Sequence, residues 1–364
     1  MVFVLWVVSI LVFVMMSFTG DPTFMMVPLD ATDEQIDRAR KLLGLDDTLL
    51  VQYWRFLSSL LQGDFGRSFV FRQPALQLIM ERLPATLEIV FLALVMALVI
   101  AIPLGVYAGA YPERFTSRLA MAGSLVGISL PGFWLGMVLI FIFAVKLQMF
   151  PSSGRGPTDV VWGMRISFLS WDGIRHLILP AVTLSIGTLA ILMRIIRAEM
   201  MEVLKQDYIK FARAKGAASR FVLFKHGLKN ALIPLITVFG LMLGDLIAFA
   251  TLTETIFAWP GIGKLLVDSI YRGDRPVIVV YLMFVAFLFV IVNFVVDIAY
   301  ALIDPRIKIK WGVGHVHLKT SALSWLRTGA QLAAQRVGAR WHHDHPVLRC
   351  ACRDRAIVDG ARPL

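Results

Sequence analysis

Long apolar runs constrain the fold more than any other feature of this sequence. Several of them approach the ~20 residues that a helix needs to cross a bilayer, and hydrophobic residues make up 58% of the chain. The mean hydropathy is +0.73, whereas a soluble globular domain typically contains about 45–50% apolar residues. The composition therefore excludes an ordinary soluble domain and predicts an all-α, multi-pass membrane protein.

Six of the runs are assigned as transmembrane helices. They cover residues 1–18, 85–107, 119–145, 177–196, 232–252 and 277–303. We expect the second of these helices to begin at Pro84, and the third to kink at Pro131-Gly132, because proline removes a helical hydrogen bond.

The distribution of charge predicts the orientation of the six spans. The net charge is +11, and the predicted inner segments hold 22 of the Lys and Arg residues against 14 in the outer segments. Basic residues gather on the cytoplasmic side of membrane proteins, so we expect an inner-membrane location with both termini in the cytoplasm. The bilayer accounts for the basic charge, and we predict no nucleic-acid partner.

The predicted external segment, 19–84, contains two amphipathic patterns. Thr32 and Gln35 form a capping box and Gly44 is a stop signal, which predicts a surface helix over 33–43. Apolar residues at helical spacing predict a second helix over 48–62.

A basic stretch, 205–234, separates the fourth and fifth apolar runs. It carries seven Lys and Arg residues against one acid, Asp207. Apolar residues recur at helical spacing on both sides of Gly216, and Ser219 is a candidate N-cap for the second helix. Glycine takes the left-handed backbone conformation without strain. We therefore predict a helix–turn–helix at the membrane surface, within a loop over 197–230; a solvated inner loop is the alternative.

Three motifs resemble a known family. The run Ala212-Arg213-Ala214-Lys215-Gly216, followed by His226, Asn230 and Pro234, resembles the cytoplasmic "EAA" loop of ABC-importer permeases. It is most similar to the version in the dipeptide, oligopeptide and nickel permeases, where Lys210 replaces the glutamate of the broader pattern. The segments 254–263 (ETIFAWPGIG) and 303–306 (IDPR) match the same family. The resemblance covers residues 1–310.

The resemblance implies a permease subunit of an ATP-driven importer, for dipeptides or oligopeptides. It implies a second homologous permease, two cytoplasmic ATPase subunits and an extracellular or periplasmic binding protein. Nickel, glutathione and other small solutes remain alternatives for the cargo. ATP and Mg would bind to the ATPase subunits, so we expect no cofactor on this chain. The residues that would couple to the ATPases are Tyr208, Ala212, Arg213, Ala214, Lys215 and Gly216.

The chain shows no catalytic or nucleotide site of its own. The segment 261–264 (GIGK) lacks the upstream glycine spacing and the following Ser or Thr of a P-loop, and no nucleophile–base pair is visible. We therefore predict that the protein is not an enzyme, against the alternative of a membrane-embedded enzyme.

Acidic residues in the apolar runs are candidates for the transport pathway, because buried charge is costly in a membrane. They are Glu88, Asp245 and Asp297, of which Asp245 is the best placed. We assign Asp245 and Glu254 to the substrate pathway, with packing as an equal alternative for Asp245 and the favoured one for Glu88 and Asp297. An ion-coupled secondary transporter using Asp245 is the rival function, but such transporters carry internal repeats, and none is found.

The last segment, 311–364, has no helical periodicity, and we expect a disordered cytoplasmic tail. His342, His343 and His345 stand near Cys350 and Cys352, the only cysteines. A metal site there is the less favoured alternative, so no metal is predicted.

Overall fold

The computed structural model describes residues 2–18, 23, 27, 32–161 and 163–303. The predicted tail with its His and Cys cluster lies outside the described residues, as do positions 304–306 of the third motif.

Most of the described part of the chain is helical, and the loops between the helices contain one small hairpin. The helices are α1 (Val2–Phe18), α2 (Asp33–Leu43), α3 (Leu49–Leu61), α4 (Ala75–Ala110), α5 (Phe115–Ser129), α6 (Gly132–Leu139), α7 (Trp171–Val203), α8 (Asp207–Ala214), α9 (Ser219–Phe221), α10 (Lys229–Ile256), α11 (Ile262–Arg272) and α12 (Arg275–Ile303). Two π-helical stretches are present: Ile140–Lys146 extends α6, and Val222–Leu228 joins α9 to α10.

The helical prediction is confirmed, and the hairpin is the one exception among the described residues. Strands β1 (Asp159–Val161) and β2 (Met164–Ile166) pair antiparallel, with Asp159 opposite Ile166. The turn between them contains Gly163 at φ 79°, a left-handed conformation that glycine adopts without strain. Three-residue strands are too short for the alternating pattern that reveals a strand in a sequence.

Fewer helices qualify as membrane spans than the six we predicted. Among the described residues, α4, α7 and α12 are long and apolar enough, and α5 with the extended α6 makes a fourth if the bent pair is one span. Helix α1 has 17 residues, about 26 Å at 1.5 Å per residue against a hydrocarbon core of about 30 Å. Helix α10 covers the predicted fifth run, but several of its side chains between 233 and 241 lie outside the described residues.

The structure revises one proline prediction and confirms the other. Helix α4 begins at Ala75, so Pro84 lies inside the helix. The additional turns are held by packing, because Leu78 and Ile79 are buried against α11 and α12. The predicted kink at Pro131 is present as a bend of 104° between α5 and the extended α6. Leu130 is extended, since the residue before proline avoids the helical conformation.

The centre of the fold is the packing of α4 against α7. Small residues of α4, including Ala97 and Ala101, form a buried cluster with Leu192, Ile196 and Met200 of α7. Two glycines allow the closest approach, and they lie against the same helix: Gly105 faces Ile196 and Gly109 faces Met200. Small residues let helix backbones approach closely in membrane proteins.

The predicted surface helices are confirmed. Helix α2 spans Asp33–Leu43, with the Thr32–Gln35 capping box and with Gly44 at φ 65° after its last turn. Helix α3 covers Leu49–Leu61, as the second amphipathic pattern indicated.

Candidate functional site

The first half of the predicted helix–turn–helix is present in the structure. Helix α8 ends at Ala214, and Gly216 adopts φ 81°. The Gly216 N–H donates to the Arg213 carbonyl at 2.9 Å, and the Ala217 N–H donates to the Ala212 carbonyl at 3.2 Å. A Cβ at Gly216 would meet no other described atom within 4 Å. Glycine is therefore required here by the backbone conformation, and not by lack of space.

The second half differs from the prediction. Ala218 is the N-cap and Ser219 the first helical residue. The helix then continues through Val222–Leu228 into α10 without a break. The π-helical stretch ends at Leu228 and α10 begins at Lys229, so no turn lies between them. A π-helix forms i→i+5 hydrogen bonds and therefore fits one more residue into a helical turn than an α-helix does. The second helix is thus the beginning of the next long helix.

Helix α8 is held to the rest of the chain by two contacts. Ile209 is fully buried, and the Asn230 side-chain amide donates to the Tyr208 hydroxyl at 2.7 Å. Sequence reasoning missed the role of Ile209. The available signal was that Ile209 is the only Ile, Leu or Val between 205 and 221.

The opposite side of this segment exposes aromatic rings beside basic side chains. The Lys215 ammonium lies 4.5 Å from the Phe211 ring centroid, and Lys225 lies 4.7 Å from that of Phe221. We call this surface the aromatic–basic face. It comprises Phe211, Lys215, Phe221, Phe224 and Lys225, all of them exposed. Apolar rings left in contact with solvent and lined by cations are typical of a docking surface.

The electrostatics of the segment are dominated by its cations. Lys210 lies 2.8 Å from Asp207, and its hydrogen bond holds the pKa of the Asp207 carboxyl below its ordinary value. Of the other predicted coupling residues, Arg213 and Ala214 are exposed and Ala212 is half-buried. The surface therefore combines net positive charge with apolar rings.

Glu254 lies in a buried polar cluster, away from solvent. Its two carboxylate oxygens accept hydrogen bonds from the Thr86 hydroxyl and from the Lys264 N–H at 2.9 Å. The Thr86 hydroxyl in turn accepts from the Ile262 N–H. A side chain on Gly261 would overlap the Glu254 carboxylate, so this glycine makes room for it. The cluster fastens the ends of α10 and α11 to α4.

Glu88 occupies a neighbouring ion pair. Arg155 lies 3.0 Å from the Glu88 carboxylate, and both side chains are at least nine-tenths buried. The Ser167 N–H donates to the same oxygen at 2.7 Å. The packing interpretation of Glu88 is confirmed: it ties the loop that carries the β-hairpin to α4.

The structure does not bring Asp245 and Glu254 together. Asp245 is exposed, whereas Glu254 is buried. Nine residues separate them on one helix, which corresponds to two and a half turns and therefore to opposite sides of α10. The side chain of Asp297 lies outside the described residues.

Neither a P-loop nor a metal cluster occurs in the described part of the chain. In the 261–264 segment, the Lys264 ammonium pairs with Asp268 at 2.8 Å and its N–H binds Glu254. The described residues contain no group of three or more His, Cys, Asp or Glu side chains that could hold a metal ion.

Comparison with known proteins supports one family along nearly the whole helical region. Residues 101–309 match the family described as binding-protein-dependent transport system inner membrane component, and residues 1–90 match its N-terminal counterpart. The oligopeptide permease AppB of Bacillus subtilis is 42% identical over 305 residues, which is 83% of this chain and 94% of that protein.

Two further relatives have similar coverage. The di/tripeptide permease DppB of Pseudomonas aeruginosa is 41% identical, over 79% of this chain and 90% of that protein. The glutathione permease GsiC of Escherichia coli K12 is 38% identical, over 84% of this chain and 95% of that protein.

The fold agrees with a solved transporter. Inward-facing structures of the MetNI methionine ABC transporter superpose with TM-scores of 0.51 and 0.52 at 20% identity, over 64% of this chain and 98% of that one. The chain therefore belongs to the binding-protein-dependent transport system inner membrane components, as a permease subunit of an ABC importer in the peptide and glutathione family.

Proposed function

We propose that this permease imports dipeptides or oligopeptides and forms the translocation path together with a second homologous permease. Two cytoplasmic ATPase subunits would drive it, and an extracellular or periplasmic binding protein would deliver the cargo. This chain would hydrolyse no ATP, because ATP and Mg would bind to the ATPase subunits. The observation that carries the proposal is the identity of 42% and 41% with an oligopeptide and a di/tripeptide permease along most of both chains.

Helix α8 is the proposed link to the ATPases. The aromatic–basic face offers rings that would fill an apolar groove and cations that would pair with acidic groups at its rim. On its other side, buried Ile209 and the Tyr208–Asn230 hydrogen bond fasten α8 to the beginning of α10. A displacement of α8 by the ATPases would therefore be passed to a helix of the translocation path.

Variants of the aromatic–basic face test this link. Phe211→Ala should reduce co-purification of the ATPase subunits and the stimulation of their activity by loaded binding protein. Phe115→Ala removes an even more exposed ring from α5 and should change neither. Unchanged association and stimulation in Phe211→Ala would remove α8 from the coupling mechanism.

Glutathione is the second candidate cargo, because GsiC is 38% identical over a comparable length; nickel and other small solutes are further alternatives. The four kinds of subunit, reconstituted in vesicles, should accumulate labelled dipeptide or pentapeptide when ATP and the binding protein are both present. Excess unlabelled peptide should compete, whereas glutathione and Ni²⁺ should compete weakly. Uptake of glutathione or Ni²⁺ without peptide uptake would contradict the peptide assignment.

The same vesicles separate ATP-driven import from ion-coupled transport. Uptake should require ATP and should persist when a protonophore collapses the proton gradient. Asp245→Asn should leave ATPase association normal, with any defect confined to cargo passage, because Asp245 lies on α10 away from α8. Uptake that survives without ATP but is abolished by the protonophore and by Asp245→Asn would favour the secondary transporter.

A further inference from the structure

Helix α3 is apolar on two different sides. One side carries Tyr53 and Phe56. The other carries Leu50, Trp54 and Leu61, at spacings of four and seven residues that place them on one face of a helix. These three side chains are 70–81% exposed, and no residue of α3 is buried. In water, this face would leave most of the surface of two leucines and a tryptophan in contact with solvent.

The inner side of α3 packs against α1. The Phe13 ring lies 5.4 Å from the Tyr53 ring and 5.8 Å from the Phe56 ring, centroid to centroid. The Tyr53 hydroxyl is 2.9 Å from the hydroxyl of Ser9. Helix α1 ends at Phe18, five positions after Phe13 and nine after Ser9, so the contact lies about 8–14 Å from that end of the helix.

Helix α1 itself is apolar on all sides. It contains no charged residue, and large side chains such as Phe3, Trp6 and Leu11 are exposed along it. A helix that is hydrophobic all round is either buried in protein or surrounded by lipid. If α1 lies in the bilayer, a helix that contacts it about 8–14 Å from its Phe18 end lies at bilayer depth as well, whatever its own length.

The polar groups of α3 are compatible with that depth. Arg55 is its only charged residue, and it pairs with Asp47 at 2.8 Å. The Gln52 amide donates to the carbonyls of Leu45 and Asp47, which lie in the turn after α2. Trp54 is the residue type that gathers at the boundary between acyl chains and water. The Gln52 and Arg55 side chains thus lie against the turn that follows α2.

We infer that the face formed by Leu50, Trp54 and Leu61 contacts the acyl chains of the outer leaflet, continuous with the lipid-exposed surface of α1. Helix α3 is then an interfacial helix of the membrane, although it belongs to a segment predicted to be external. The inference rests on the proposed permease function, in which α1 lies in the bilayer as the first predicted span. The binding protein and a second copy of this chain are the competing occupants of the face.

Collision measurements with nitroxide labels test the inference in the full transporter, embedded in phospholipid vesicles. Cys350 and Cys352 are replaced by Ser, and single labels are placed at Trp54→Cys and Leu61→Cys. Leu11→Cys reports on α1, and Asp37→Cys, exposed on α2, is the water-facing control. Oxygen concentrates in the bilayer and a neutral nickel chelate in water. Residues 54 and 61 should resemble residue 11, with collisions dominated by oxygen, and residue 37 should show the reverse ratio.

The possible results separate the inference from the function on which it rests. Oxygen-dominated collisions at residue 11 with nickel-dominated collisions at 54 and 61 would overturn the lipid contact and leave the permease assignment intact. Low access of both reagents at 54 and 61 would show a protein partner on the face and also overturn it. Nickel-dominated collisions at residue 11 would overturn the bilayer placement of α1 and the inference with it.

Discussion

Single residues of this protein are constrained either by backbone conformation or by buried charge. Gly216 represents the first kind, since its φ of 81° is the sole demand on it and no described atom crowds the position. Glu88 represents the second, since its carboxylate shares a buried site with Arg155. The two residues therefore fail in different ways when they are replaced.

Replacing Gly216 should uncouple transport without affecting insertion. The left-handed conformation costs a non-glycine residue about 1–2 kcal/mol, and a β-branched side chain would turn the chain away from α9. Gly216→Val should reach normal membrane levels but lose transport and the stimulation of the ATPases. Gly216→Asn, which tolerates this conformation, is the matched control and should keep most activity. Wild-type uptake by Gly216→Val in reconstituted vesicles would refute the coupling role.

Replacing Glu88 should lower stability. Glu88→Gln leaves the Arg155 guanidinium buried without its counter-charge, and breaking a buried pair costs about 3–5 kcal/mol. The unfolding temperature of the purified complex should fall clearly. Glu113→Gln breaks an exposed pair with Arg118, which contributes about 0–1 kcal/mol, and should leave the temperature almost unchanged. Equal effects of the two variants would contradict this account of Glu88.

Elements of the fold are fastened at two levels. Close packing of small residues joins α4 to α7, whereas polar clusters around Glu88 and Glu254 join the loops after α6 and α10 to α4. The packing between α4 and α7 depends on the complementary shapes of the two helices. The polar clusters hold particular loops in place through hydrogen bonds.

Enlarging Gly109 should separate α4 from α7. An added Cβ would lie 2.6 Å from the Met200 Cβ and 2.9 Å from the Arg197 carbonyl, and neither the carbonyl nor a Cβ can move independently of the backbone. Gly109→Leu should therefore destabilise the protein by at least the 1–3 kcal/mol typical of overpacking. Gly187→Ala in α7 meets no described atom within 4 Å and should be tolerated. Comparable thermal stability of both variants in detergent would show that the contact is loose.

The molecule as a whole has a predicted orientation that follows from charge. The excess of Lys and Arg in the predicted inner segments predicts that residue 219 lies inside the cell and residue 153 outside. Single cysteines at Ser219 and Ser153, both exposed positions, should label from opposite sides once Cys350 and Cys352 are replaced. An impermeant reagent on intact cells should modify only Ser153→Cys, and Ser219→Cys should react after permeabilisation. Labelling of both in intact cells would contradict the six-span orientation.

Local chemistry made several features of this protein predictable from its sequence. The capping box and Gly44 determine the bounds of α2, and Gly216 determines where α8 stops, because caps and left-handed glycines act within a few residues. Apolar length determines the membrane class in the same direct way. The motifs around Gly216 and Glu254 were also sufficient to indicate the family that the comparisons show.

Contacts between distant parts of the chain decided the remainder. Helix α4 begins at Ala75 because α11 and α12 bury its first turns. Glu254 is buried and bonded to Thr86 of α4, whereas Asp245 on the same helix is exposed. Sequence spacing shows which residues share a helix face, but not what that face meets. Whether an acidic side chain becomes a buried hydrogen-bonded group or an exposed charge depends on its neighbours in space. Those neighbours lie 168 residues away in the case of Thr86 and Glu254.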